Sequence, residues 1–300
     1  MSQQNEKWLA KARKKALHMQ KLMQIVVRHG LGGYHKASAA SERMVDTRRG
    51  PVRVLEYGFD DSRILPLFVD LHGGGFIMMQ ADVDEPMILQ FRQAAAVKVI
   101  SIDYPKAPQF PYPAAVEAVH DVVRHYVDCA EQYRIDTAQM GIGGHSAGGN
   151  LATVTCLRDL RVQEFGFAYQ ILDYPALDVA TDPYAKPQPK GCIKPEEAAM
   201  YNACYVTPDR AAELSASPAL ARPEDVCGMP PAMILACGGD SLHDEAIRYA
   251  NTLRAAGVEV RLQEYPDQPH GFTYYKPNDD SRDAIARMGA YIREQSSALN

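Results

Sequence analysis

The chain has 300 residues and a mass of 33.2 kDa, long enough to bury a large core in one or two domains. Hydrophobic residues make up 46% and charged residues 23%, which excludes intrinsic disorder, collagen and coiled coil. Against 32 basic side chains stand 37 acidic ones, a net charge of −5, so no global basic field attracts nucleic acid, and no apolar run reaches the ~18 residues that cross a bilayer.

The first element is helical. Trp8, Ala12, Ala16, Met19, Met23 and Val26 recur at helical spacing, and Lys7, Lys11, Arg13, Lys14 and Lys15 give the helix a basic outer face. Such a helix suits a seat on its own protein or on a membrane surface; the first is the expectation. No apolar stretch follows the basic residues, so this is not a secretory signal. Strand-like runs then follow at Val52–Tyr57, Ile64–Leu71, Val97–Ile102, Met140–Gly143, Phe167–Leu172, Ala232–Cys237 and Val258–Glu264. Helical patterns at about 84–96, 114–134, 147–160, 243–256 and 280–297 lie between most of them. That alternation predicts βαβ units around a mostly parallel sheet, and the apolar runs Leu65–Leu71 and Met233–Ala236 suit strands covered on both faces.

Two regions break the alternation: the helical N-terminus, and about 178–228 with its X-Pro pairs and short helical stretch Pro195–Tyr205. Both are expected to lie over the sheet as a cap. The expected division is a cap segment 1–45, catalytic core 46–177, cap insertion 178–228 and catalytic core 229–300.

Chemistry enters after the second strand. His72-Gly73-Gly74-Gly75-Phe76 follows Leu71. Consecutive glycines leave backbone N–H groups free to face a developing oxyanion. Gly144-His145-Ser146-Ala147-Gly148 then stands between a strand and a helix, the context of a nucleophile elbow. A glycine-rich dinucleotide-binding turn is the competing reading of that segment alone. The expected oxyanion donors are Gly74 and Gly75 with Ala147, Gly73 being a weaker candidate, and His72 is expected to brace the loop. Ser146 needs a base. Among nine histidines, His270 sits in a Pro-His-Gly turn after the last strand, whereas His243 begins a helix and His145 points elsewhere across the elbow. Asp240, Asp244, Glu245, Asp267 and Asp173 compete for the third position. Asp240 is chosen because it follows the apolar strand on the rim that carries Ser146, while Asp244 and Glu245 already lie in a helix. The order Ser146, Asp240, His270 is that of α/β-hydrolases.

Six stretches resemble the hormone-sensitive-lipase-like esterases, the bacterial family IV of the α/β-hydrolase fold: HGGGF at 72–76, Asp103–Pro108 with Phe110–Ala115, GHSAGGNLA at 144–152, Ser217–Leu220, Asp240–Glu245 and His270–Phe272. The resemblance implies the triad Ser146, Asp240 and His270, a helical cap, and hydrolysis of small acyl esters without metal or cofactor. His145, Ser241 and Lys106 depart from that pattern, where an aspartate, a proline and an apolar residue are usual. The activity expected is a carboxylesterase acting on short- to medium-chain acyl esters. An amidase or formamidase would use the same machinery, and a hydrolase-like binding protein would show a broken triad. Six cysteines without a CxxC pair or zinc spacing imply free thiols and a cytoplasmic location. The expected partner is a small ester substrate, with no nucleic acid and no stable membrane insertion; a homo-oligomer is compatible with the sequence.

Overall fold

The computed structural model describes residues 3–274 and 277–297. In chain order the elements are α1 (Gln3–His29), β1 (Ser41–Thr47), β2 (Gly50–Tyr57), β3 (Leu65–Leu71), α2 (Glu85–Ala94), β4 (Lys98–Asp103), α3 (Ala114–Asp128), α4 (Ala130–Tyr133) and β5 (Ile135–His145). There follow α5 (Ala147–Val162), β6 (Tyr169–Asp173), α6 (Pro195–Tyr205), α7 (Pro223–Val226), β7 (Ala232–Gly239), α8 (His243–Ala255), β8 (Val260–Pro269) and α9 (Asp279–Ser297).

The strands form one sheet in the order β1-β2-β4-β3-β5-β6-β7-β8. Only β1–β2 and β2–β4 pair antiparallel; the pairs from β4 to β8 are parallel. This is the mostly parallel sheet expected from the alternation, in the α/β-hydrolase fold that the resemblance implies. Side chains alternate along each strand, and β3 shows the consequence. Leu67, Val69 and Leu71 pack with Val119 of α3, Leu151 of α5 and Tyr249 of α8. Phe68 packs on the other face with Phe91 of α2 and Met288 of α9. All seven β3 residues are buried, as a strand covered on both faces requires.

Strand β1 is not visible as a hydrophobic run. Ser41-Glu42-Arg43-Met44-Val45-Asp46-Thr47 is polar, and only Val45 is buried. It is an edge strand, recruited by hairpin pairing with β2, and charged side chains on such an edge discourage pairing with other chains. Residues 41–45, expected in the N-terminal cap segment, therefore belong to the sheet. Strand β8 also runs to Pro269, beyond the expected Glu264, after a register shift between Cys237 and Gly239. That extension delivers His270 to the site.

Helix α1 sits on its own protein. Ala12 and Ala16 pack with Met200 and Cys204 of α6 and with Ile77 and Ala107. Small residues one turn apart let the two helix backbones approach closely. The Gln20 amide donates to the Ala107 carbonyl at 2.8 Å. Trp8 was expected on this inner face, yet it lies one turn before the first buried residue and is exposed. Ala16→Asp should place an uncompensated charge in the α1–α6 seam, a cost of roughly 3–5 kcal/mol. We expect α1 to detach and its lysines to become rapidly cleaved by trypsin while the core fragment persists. Unchanged protease resistance would contradict this seating.

Candidate active site

The backbone at Ser146 has φ 53° and ψ −114°, a conformation that costs a non-glycine residue about 1–3 kcal/mol. Neighbouring contacts fix it. The Ser146 N–H donates to the Asp173 carbonyl at 2.9 Å, and the Ser146 carbonyl accepts from Ala176 at 3.0 Å and Asn150 at 3.2 Å. A Cβ on Gly148 would lie 1.9 Å from the Leu71 carbonyl oxygen, and one on Gly144 would lie 2.4 Å from the Gly148 carbonyl carbon. Both glycines of the G-x-S-x-G motif are thus dictated by close approach. The turn ends β5 and opens α5, so the Ser146 hydroxyl stands at the carboxyl end of the sheet before a helix N-terminus.

The residues expected as base and acid lie together with it. His270 Nε2 is 2.9 Å from Ser146 Oγ, and His270 Nδ1 is 2.6 Å from Asp240 Oδ2. A carboxylate accepts, so Nδ1 carries the proton and Nε2 is free to accept from the serine. The other Asp240 oxygen accepts from the Leu242 N–H at 3.1 Å, which fixes the carboxylate plane. The rival acids are elsewhere: exposed Asp244 bonds to half-buried His243, Glu245 takes the Leu177 and Asp178 N–H groups, and Asp173 pairs with His145 at 2.8 Å.

Gly74 (φ 117°) and Gly75 (φ 59°) adopt backbone conformations that favour glycine. Their N–H groups have no acceptor among the described residues. The Ala147 N–H, at the first position of α5, has no partner within the helix either. Gly73 differs, because its N–H donates to the Tyr274 hydroxyl at 3.1 Å. His72 is buried under this loop. Its ring stacks on Tyr104 at 4.2 Å, its Nδ1 meets the Gly73 carbonyl at 2.6 Å, and the Tyr104 hydroxyl donates to the His72 carbonyl at 2.8 Å. Burial holds the His72 pKa below its ordinary value.

A cavity of about 320 Å³ opens over Ser146 and His270, floored by Gly73–Gly75 and walled by Glu197, Ala198, Tyr201 and Asn202 of α6. These four repeat at i, i+1, i+4 and i+5, one face of a helix. The Tyr201 ring would meet a Cβ on Gly75 at 2.8 Å, so it packs directly on the loop. Lys106 turns away from this cavity and pairs with Asp103.

Sequence reasoning did not find Tyr274, Asp70 or Asp84, and nothing local in the sequence marks them. Asp70, Asp84 and His145 are buried, with polar atoms within 4.8 Å of one another. Among the described residues they are the group spaced to hold a cation, and the His145 ring itself supplies positive charge there. Burial opposes that charge, but the hydrogen bond to Asp173 and the carboxyl groups of Asp84, Asp173 and Asp70 outweigh it and raise the ring's pKa to about 9. Burial, then the neighbouring Asp70 charge, push Asp84 well above the usual carboxyl range.

The glycine contacts generate a prediction. Gly148→Ala requires the Leu71 backbone to shift, and overpacking typically costs about 1–3 kcal/mol. A lowered melting temperature is expected, together with a loss of any activity that depends on Ser146. Normal stability and activity would contradict the close approach.

Residues 68–274 match the profile of a family described as having the alpha/beta hydrolase fold. Esterase LipI of Mycobacterium tuberculosis is 30% identical over 236 residues, covering 77% of this chain and 74% of that protein. Ethyl acetate hydrolase of Pseudomonas putida is 28% identical over 267 residues, covering 86% of this chain and 79% of that protein. The solved structure of a hyperthermophilic esterase from the archaeon Pyrobaculum calidifontis superposes with a TM-score of 0.80 at 26% identity, covering 100% of this chain and 99% of that one. With two thirds of its length inside the family profile and a site assembled on the ends of β3, β5, β7 and β8, the chain belongs to the hormone-sensitive-lipase-like group of the α/β-hydrolase family.

Proposed function

We propose that the chain is a serine carboxylic-ester hydrolase for short- to medium-chain acyl esters. The observation that carries this reading is the continuous hydrogen-bonded path Asp240–His270–Ser146 beside the free N–H groups of Gly74 and Gly75. The names of the relatives favour an ester over an amide as substrate.

In this mechanism the Ser146 Oγ attacks the ester carbonyl carbon while His270 Nε2 takes its proton. Charge moves onto the carbonyl oxygen, which the Gly74, Gly75 and Ala147 N–H groups receive. Each such preorganised donor is worth about 3–4 kcal/mol where it has been measured. Asp240 stabilises the imidazolium that forms and keeps its proton on Nδ1. The intermediate collapses as His270 protonates the departing alcohol, leaving an acyl group on Ser146. Water, deprotonated by His270, repeats the sequence and releases the acid. No step needs a metal or cofactor, so chelation should leave the rate unchanged; a loss restored by zinc would overturn this mechanism.

Helix α1 and the insertion 178–228 act as the cap. The Asn150 amide, on the helix behind Ser146, donates to the Ala176 carbonyl just before the insertion at 2.7 Å and to the Ala216 carbonyl within it at 2.9 Å. The six cysteines are unpaired, which suits a reducing, cytoplasmic setting. No helix of the described residues is long and apolar enough to cross a membrane.

Ser146→Ala should lower kcat by about 10⁴- to 10⁶-fold with the fold intact, the range of triad losses. A variant keeping a tenth of the rate would remove Ser146 as nucleophile. Asp240→Asn should be nearly as severe and Asp244→Asn mild; the reverse order would refute the acid assignment.

Chain length tests the cavity. Each buried methylene adds ~0.8 kcal/mol only until the space is full, and this cavity is at the small end of ligand sites. For p-nitrophenyl esters below their micelle concentration, kcat/KM should peak between acetyl and hexanoyl and fall sharply by dodecanoyl. A long-chain maximum, activation by emulsions, or preference for an anilide would contradict the reading.

A further inference from the structure

Beneath the oxyanion loop, three adjacent strands end on the same face of the sheet with ionisable side chains. Register places Asp70 opposite Gly143 and His145 opposite Asp173. Since side chains alternate, Asp70, His145 and Asp173 all project toward the α2 and α9 side. There the turn before α2 adds Asp84. His145 Nδ1 meets Asp173 Oδ2 at 2.8 Å and its Nε2 faces Asp70 Oδ1 at 3.8 Å. The ester-hydrolysis steps above use none of these four groups.

The cluster nevertheless touches each moving part of that chemistry. His145 is bonded directly to Ser146. Asp70, fixed by the Ser101 hydroxyl at 2.7 Å, stands two residues before His72. The Tyr274 ring meets His145 edge-on at 5.3 Å, lies against Asp84, and its hydroxyl accepts the Gly73 N–H at 3.1 Å. Thr273, three residues after His270, donates to Asp173 at 2.8 Å. Tyr174, bonded to Thr273, packs edge-on against His270 at 4.9 Å.

We propose that His145 is a positioning residue for this reaction: its charged ring, wedged between Asp173 and the Asp70–Asp84 pair, holds the ends of β3, β5 and β6 together and, through Tyr274 and Thr273, fixes the oxyanion loop and the His270 loop relative to Ser146. The inference rests on the ester-hydrolase reading. The titratable groups facing the ring are Asp70 from β3, Asp84 from the turn before α2, Asp173 and Tyr174 at the end of β6, and Tyr274 from the loop after β8. The ring's pKa rises from the ordinary 6.5 to about 9 on folding. A raised cation stabilises fully below 6.5, and that contribution is lost as pH rises through about 9. Positioning should fail over the same window.

The test measures kcat and KM on p-nitrophenyl acetate from pH ~6 to ~10, per active site counted by irreversible phosphonylation, for wild type, His145→Gln, Tyr274→Phe and the double variant. His145→Gln should lower kcat about 10- to 100-fold, as expected for lost alignment, with KM within about threefold. The wild-type decline near pH 9 should vanish in this variant. Combining it with Tyr274→Phe should cost less than the product of the two, because both act on one path. If His145→Gln does not fold, the charge-balanced His145→Gln/Asp173→Asn variant carries the same expectations. An unchanged kcat per active site and an unchanged pH profile, with only the melting temperature lowered, would overturn the proposal. A wild type that turns over no ester would instead remove the reading beneath it.

Discussion

The backbone conformation of Ser146 is the constraint on which the rest of the site depends. A residue at φ 53° and ψ −114° is held there by its surroundings, and the surroundings are the first turn of α5, the ends of β3 and β6, and the loop after β6. Gly148 lies so close to the Leu71 carbonyl, and Gly144 so close to Gly148, that the Ser146 turn and the start of the glycine loop form one packed unit. Displacing either would displace the other. The strain of about 1–3 kcal/mol is matched by three backbone hydrogen bonds at Ser146, each worth about 0.5–1.5 kcal/mol net.

The parallel sheet explains why the remaining parts converge. Parallel strands end on one edge, and here β3, β5, β7 and β8 deliver the glycine loop, Ser146, Asp240 and His270 to that edge. The same geometry forces ionisable residues near the edge to be buried together. Asp70, Asp84, Asp173 and His145 form such a group, each at most 2% exposed. Burial drives Asp84 toward its neutral form, and the remaining buried charges would be strongly unfavourable if unpaired. The imidazole pairs with Asp173 and faces Asp70, which accounts for the raised pKa of the ring. His145 thus has a structural reason to stand at this position of the elbow.

Much of this was legible in the sequence because it is local. Gly144, Ser146 and Gly148 identify the elbow by spacing, and the preceding apolar strand confirms its context. Asp240 and His270 follow strands, so their placement on the same rim follows from topology alone. The parallel strands β3 and β7 stood out as apolar runs. What escaped was non-local or polar. Strand β1 is a polar edge that only pairing with β2 reveals. Trp8 continues the helical period of α1 but lies beyond the part that α6 covers. Tyr274 and Gly73 are 201 residues apart, and their hydrogen bond has no sequence signature. Asp173 read as a rival acid because it ends a strand; register instead sets it opposite His145.

The central claim is that Ser146 forms a covalent acyl intermediate, activated by His270. Intact-mass analysis of enzyme quenched during turnover of a slowly deacylating ester tests it most directly. One acyl group per chain, mapped to the peptide carrying Ser146 and absent in Ser146→Ala, is the result expected. Rapid hydrolysis with no acyl adduct, or an adduct on another residue, would contradict the account.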